Sequence, residues 1–458
     1  MNLAALLTDH PFAEDEPLLF GADETLTAGE ARAEAAALAA DLRSHGVHPG
    51  HAVAVQLPNG PRVIVAMAAV WLAGAILVPV NPRLPAAEVD AVLDATHPGL
   101  FLDASGVTSR SSPAAYEPGV AFVTWTSGTT GRPKAILHTH DAYLELLDRV
   151  LGPLRAGSTD SAKRPTPNLI PVSLALNAGI YNALFGLRAG ASLVIMDRFE
   201  PAGFAALVAR HQVHSTVLAP AAITTLADDP DVTDLAPLRY VRSITAPLSP
   251  LAAVRFSAKF GVTVLNGYGQ AEIGEVIGWT AADARAHPDK IGAVGRPHPG
   301  VDVKLAPDGE LLVRPPRRAV GYAGGEDLHD RVDEAGFVRT GDLARIDDDG
   351  FVWIEGRLGD VINRGGNKVF PEQVEEVLRL VPGVADVAVV GVADERLGEV
   401  PVAFVVGTPA PADVERVCRE HLVAYKVPVD VVSVDRLPRS EVGKVLRREL
   451  VARYSASA

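Results

Sequence analysis

The chain has 458 residues, 48% of them apolar and 5% aromatic, with one cysteine and a net charge of −14. That length supports a large core and more than one domain, and the Ala, Val and Leu filling points to an α/β protein, with small-residue helices on Val/Ile-rich sheets. The single cysteine, Cys418, excludes a disulfide framework or a thiolate metal cluster and suggests a reducing, cytoplasmic setting. The acidic balance excludes broad affinity for nucleic acid or anionic membrane, so a phosphate or carboxylate ligand must meet a few placed cations or a metal ion.

The opening run MNLAALLTDHPFAEDEP has no basic leader, so no signal peptide is expected. TAGEARAEAAALAADLRSHGV reads as an alanine-rich helix ending near Gly46, and HAVAVQL as a strand. The apolar stretch VIVAMAAVWLAGAILVPV, residues 63–80, has the nominal length of a membrane span. Gly74 is a natural helix stop and AILVPVNP reads as strand and turn, so a buried helix followed by a buried strand is predicted instead. Residues 105–119 form the clearest loop. LVIMD, FAALVARHQV and HSTVLAP make a further strand–helix–strand unit, and such repetition predicts parallel sheets covered by helices. From about residue 300 to 355 the texture changes to short strands, with DDDG as a hairpin turn. After Gly356 come the amphipathic helix FPEQVEEVLRLV, the strands DVAVVGVAD and PVAFVVG, and the helix DVERVCREHLV. The predicted architecture is thus a large N-terminal domain, 1–355, of layered α/β sheets with a β-rich subdomain, and a small mobile α+β domain, 356–458.

The stretch TWTSGTTGRPKAI, Thr124 to Ile136, has the composition of a phosphate-binding loop. A Walker-type loop places glycine directly before its lysine. Here Gly131 lies three positions ahead of Lys134 and Pro133, with no N–H and a fixed φ, intervenes, so the loop has a different shape. Its hydroxyls and amides could surround polyphosphate oxygens, with Lys134 neutralising one. His138 and His140 follow in HTH, with no third ligand nearby, and are read as structural.

Four more strings follow in order: NGYGQAE (266–272) after the strand GVTVL, RTGD (339–342) before a strand, GRLGDVINRGGNKVFPEQVE (356–375) at the domain change, and PRSEVGKVLRREL (438–450). Together with TSGTTGRPK they resemble the adenylate-forming superfamily of acyl-CoA synthetases, aryl-acid ligases, luciferases and peptide-synthetase adenylation domains. The resemblance spans nearly the whole chain. It implies a two-step reaction: ATP and a carboxylic acid give an acyl-adenylate and pyrophosphate, and a thiol then displaces AMP.

By that resemblance Thr126, Ser127, Gly128, Thr129, Thr130, Gly131 and Lys134 would grip the β- and γ-phosphates. Tyr268, beside Gly269, would stack on adenine, Glu272 would serve Mg²⁺, and Asp342 and Arg357 would approach the ribose. Lys444 would bridge the substrate carboxylate and the α-phosphate, and Gly365 and Gly366 would line a tunnel for a pantetheine arm. Asn177, Thr245, Ala246 and Gly267 would line the acid pocket. The acceptor is expected to be CoA; the alternative is a stand-alone acyl-AMP ligase that loads a carrier-protein phosphopantetheine in trans or passes the acyl group to another nucleophile in a biosynthetic pathway, and a nucleotide-binding protein without ligase activity is the more remote one.

Several positions depart from the family pattern. Ala271 stands where a threonine is usual, and Gly359 where the hinge usually has an acid. Ser173 and Leu174 replace the aromatic–histidine pair that gates many acyl channels. In SITAP, 243–247, Ile244 and Thr245 replace two glycines, which should narrow the pocket toward a compact aromatic or short branched acid. No arginine or lysine is apparent there for a second carboxylate.

Overall fold

The computed structural model describes residues 2–126, 134–156, 164–323, 328–439 and 445–457. The first long helix, Ala28–Ser44, starts at a reciprocal cap: Thr27 Oγ1 accepts the Glu30 N–H at 3.1 Å and Glu30 Oε2 accepts the Thr27 N–H at 2.8 Å. Its buried face is Ala28, Ala31, Ala35, Ala39 and Leu42, a stripe small enough to admit the neighbouring helix Pro61–Leu72 at close range. That second helix is followed by Gly74 at φ +79° and the strand Ile76–Pro79, so the apolar stretch divides as expected. Among the described residues no helix is long and apolar enough to cross a membrane.

Two large sheets share the main core. One runs from Arg296–Pro297 through Gly274–Gly278, Thr263–Gln270, Tyr240–Ser243, Ser215–Leu218, Asn168–Ile170, Leu193–Ile195 and Pro17–Phe20 to Thr25–Thr27. The other runs from Gly321–Tyr322 through Lys134–Thr139, Val120–Thr126, Ile76–Pro79, Ala52–Val55 and Leu100–Asp103 to Gly106–Ser109. Their central strands are parallel, but the edges are antiparallel. One such edge strand, Gly106–Ser109, falls inside the segment expected to be loop; pairing with Leu100–Asp103 supplies its backbone partners. Leu19, Ile170 and Leu193 of the first sheet and Val53, Leu77 and Phe122 of the second belong to one cluster with the intervening helices.

The β-rich portion is an antiparallel sheet ordered Asp302–Leu305, Glu310–Arg314, Val338–Ile346, Val352–Arg357. Its last strand continues to Arg357, two residues past the expected 355/356 junction. In the remainder, Gly398–Gly407 pairs with Val384–Asp394, Ile362–Arg364 and Asp430–Ser433. Helices Pro371–Leu378 and Pro411–His421 cover one face through Val374, Leu378, Val414 and Cys418, and Leu450 of Arg447–Ser457 covers the other.

Candidate active site

Both nucleotide motifs lie within strands, whereas they were expected beside them. NGYGQ is the end of the strand Thr263–Gln270, which turns back into Gly274–Gly278 with a bulge between Tyr268 and Gly269. A Cβ on Gly269 would lie 2.1 Å from the Gly274 carbonyl oxygen, so only glycine permits this approach. RTGD lies inside Val338–Ile346, where Asp342 is paired in register with Arg357. Ladder bonds and the pleat thereby set the direction of both motifs.

Asp342 is buried, and its carboxylate collects three donors. The Tyr268 hydroxyl reaches Oδ2 at 2.6 Å, Gln270 Nε2 reaches the same oxygen at 2.9 Å, and Arg357 Nε reaches Oδ1 at 3.0 Å. Burial, and then the Asp342 charge, hold the Tyr268 phenol well above its ordinary pKa, so it remains a donor. Glu272, also buried, accepts Tyr322 OH at 3.0 Å and Arg331 Nη1 at 2.9 Å on Oε1. Arg331 Nη2 donates to Gln270 Oε1 at 2.8 Å, so Glu272, Arg331, Gln270, Asp342 and Arg357 form one continuous chain.

Lys134 joins from the second sheet. It pairs in register with Thr126, and its ammonium stands 5.1 Å from the centre of the Tyr322 ring. Tyr322 therefore touches Lys134 with its face and Glu272 with its hydroxyl. Ser127, Gly128, Thr129, Thr130, Gly131 and Lys444 lie outside the described residues. Gly365 and Gly366, at φ +55° and +86°, make the two-residue turn between Ile362–Arg364 and Asn367–Val369, where glycine relieves the strain. Sequence reasoning missed Gln270, Arg331 and Tyr322. Gln270 lies within a motif already singled out, whereas Arg331 sits in the His329–Arg331 turn, 59 residues from Glu272, with no local signal.

The two histidines of HTH are structural. His138 is stacked on Phe122 with ring centres 4.7 Å apart, meets Thr124 Oγ1 at 2.7 Å, and burial pushes its imidazole down to about 3. His140 Nδ1 accepts the Leu3 N–H at 3.1 Å.

Of the residues expected to line the acid pocket, Asn177 opens the helix Asn177–Ala189 and accepts the Tyr143 hydroxyl at 3.1 Å. Thr245 is exposed and Ala246 half-buried, beyond the end of strand Tyr240–Ser243. Leu174 is buried in the core, its N–H held by Asn59 Oδ1 at 2.8 Å. Ala271 packs beside Ile136, Ala319, Tyr322 and Leu328. An arginine not anticipated from the sequence is present: Arg242 is buried and paired with Glu275, which also takes the Tyr181 hydroxyl at 2.8 Å and faces His298 Nε2 at 3.3 Å.

Residues 8–118 and 103–323 match the AMP-binding enzyme family, and residues 373–444 match the AMP-binding enzyme C-terminal domain. The long-chain-fatty-acid–CoA ligase FadD13 of Mycobacterium tuberculosis is 29% identical, over 95% of this chain and 94% of the relative. The 3-[(3aS,4S,7aS)-7a-methyl-1,5-dioxo-octahydro-1H-inden-4-yl]propanoyl:CoA ligase of the same organism is 32% identical over 95% of each chain. Among solved structures, ATP-bound MatB from Rhodopseudomonas palustris superposes with a TM-score of 0.87 at 26% identity, over 99% of both chains.

Proposed function

The chain belongs to the AMP-binding enzyme family, and from that membership we propose an ATP-dependent ligase that converts a compact carboxylic acid to its acyl-adenylate and passes the acyl group to the thiol of CoA. The observation that carries this reading is the unbroken chain from Lys134 and Tyr322 through Glu272, Arg331, Gln270 and Asp342 to Arg357. It aligns three cations, Lys134, Arg331 and Arg357, and two carboxylates, Glu272 and Asp342, along a path fit for a nucleoside triphosphate.

Carboxylate and triphosphate repel, so attack on the α-phosphorus needs positive charge where negative charge develops. Lys134 supplies it at the leaving side, and Lys444, carried by the C-terminal residues, supplies it between the acid and the α-phosphate. Asp342 accepts from the ribose hydroxyls in exchange for one of its present donors, and the Tyr268 phenol, once released, turns its ring to adenine. Glu272 fits Mg²⁺ as a single buried carboxylate, because that ion takes most of its ligands from phosphate and water. Mg²⁺ there would screen the phosphate charge. Residues 356–458 act as the mobile domain, with Lys444 serving adenylation and the Gly365–Gly366 turn serving thiol transfer. A cytoplasmic setting suits the supply of ATP and CoA and the lone buried Cys418.

Acid-dependent ATP–pyrophosphate exchange over a panel of carboxylic acids tests the proposal, with CoA then added to trap the thioester. Exchange with at least one acid is expected. ATP binding without exchange for any acid would leave only a nucleotide-binding protein.

A further inference from the structure

Behind the acid side lies a group of buried polar side chains with no part in the adenylation scheme. Glu275 is its centre, bonded to Tyr181, Arg242 and His298. Its carboxylate stands directly against Gly267: a Cβ on that residue would lie 2.9 Å from Glu275 Oε1 and 3.3 Å from Ile244 Cγ2. Tyr181 follows Asn177 by one helical turn, so both lie on one face of the helix Asn177–Ala189. Three separate segments thus bring Glu275, Arg242 and Tyr181 to the wall assigned to the acid. A second observation points the same way. Arg242 Nε is buried without a hydrogen-bond partner among the described residues, and a buried donor of a wall built for packing alone is normally paired.

Charge selects the kind of ligand. Arg242 and Glu275 neutralise one another, and a further buried charge is tolerated only with its own counter-charge. A second carboxylate or an ammonium on the acid would break that balance, and a wholly hydrocarbon tail would leave the orphan Arg242 Nε–H unmet. A neutral oxygen acceptor satisfies it. Resting on the ligase reading, we propose that Glu275, Arg242 and Tyr181 are specificity-determining residues that select a compact carboxylic acid carrying a neutral oxygen substituent, such as a hydroxyl, at the end remote from its carboxylate.

Matched acids that differ by hydroxyl against methyl test this in ATP–pyrophosphate exchange: 4-hydroxybenzoate against 4-methylbenzoate, and 4-hydroxybutanoate against pentanoate. The wild-type protein is expected to favour a hydroxyl member by at least about tenfold in kcat/KM, because a site built to bond an oxygen rejects the analogue lacking it. Tyr181→Phe removes one hydroxyl and no charge, and R242M/E275L removes both charges together; each is expected to lower that ratio several-fold or more. A purely structural network would slow both members equally, and an unchanged ratio would overturn the proposal. So would a wild-type preference for the methyl member, or exchange confined to acids without an oxygen substituent. ATP-induced thermal stabilisation shows whether the double variant folds; if it does not, the Tyr181→Phe ratio decides. Absence of exchange with every acid overturns the ligase reading and this proposal with it, whereas exchange at a ratio near one overturns the selection alone.

Discussion

Thr245 sits at φ +86°, in the left-handed region that glycine occupies freely and a β-branched residue rarely enters. Its replacement of the glycine usual in the family pattern predicts a narrowed pocket at this position; the backbone adds strain, of roughly 1–3 kcal/mol. Thr245→Gly releases that strain at an entropic cost of roughly 0.5–1 kcal/mol. The urea midpoint of Thr245→Gly is therefore expected to match or exceed that of the wild type, with bulkier acids entering the exchange reaction. A clear loss of stability would show that Thr245 makes a contact worth more than its strain. Gly359 contrasts with it. Nothing lies within 4 Å of a Cβ placed there, so no packing at this position demands glycine.

At the scale of elements, the site is assembled where the two large sheets end in antiparallel strands, Gly274–Gly278 on one and Lys134–Thr139 with Gly321–Tyr322 on the other. Three motifs were legible because each carries its own signal: glycines at close approach, an acid after a tight turn, a lysine after a hydroxyl-rich loop. Arg331 was not legible. It lies in a short turn, and its relation to Glu272 and Gln270 exists only once strand Val338–Ile346 lies beside strand Thr263–Gln270. Its side chain is 31% exposed, so solvent screens part of its worth. Arg331→Met is expected to cost about 1 kcal/mol of stability, below the roughly 1.5–3 kcal/mol usual for hydrogen bonds to a charged group because of that screening, and to raise the KM for ATP about tenfold while leaving the KM for the acid little changed. Thermal melts and ATP titration of the exchange rate check this, and equal kinetics for the two proteins would remove Arg331 from the site.

For the whole molecule, alternation of the C-terminal residues between two half-reactions follows if Lys444 and the Gly365–Gly366 turn cannot occupy the site together. Lys444→Ala is then expected to abolish adenylate formation, by a factor on the order of 100 or more for lost charge stabilisation, while synthetic acyl-adenylate still reacts with CoA. Equal loss of both steps would count against alternation. Single-turnover assays started from either end of the reaction separate the cases. What the amino-acid order determined by itself was local: the capped alanine helix, the split of the apolar stretch at Gly74, and the motifs whose glycines and charges act within a few residues of one another. What only the tertiary structure decided was non-local. Tyr322 beneath Lys134, Arg331 across Glu272 and Gln270, and Glu275 against Gly267 with Arg242 and Tyr181 join residues from separate segments. Such pairings depend on sheet order and register, which hydrophobic patterning constrains only loosely, so the buried Arg242–Glu275 pair, whose strands are separated by Thr263–Gln270, is invisible until the sheet is assembled.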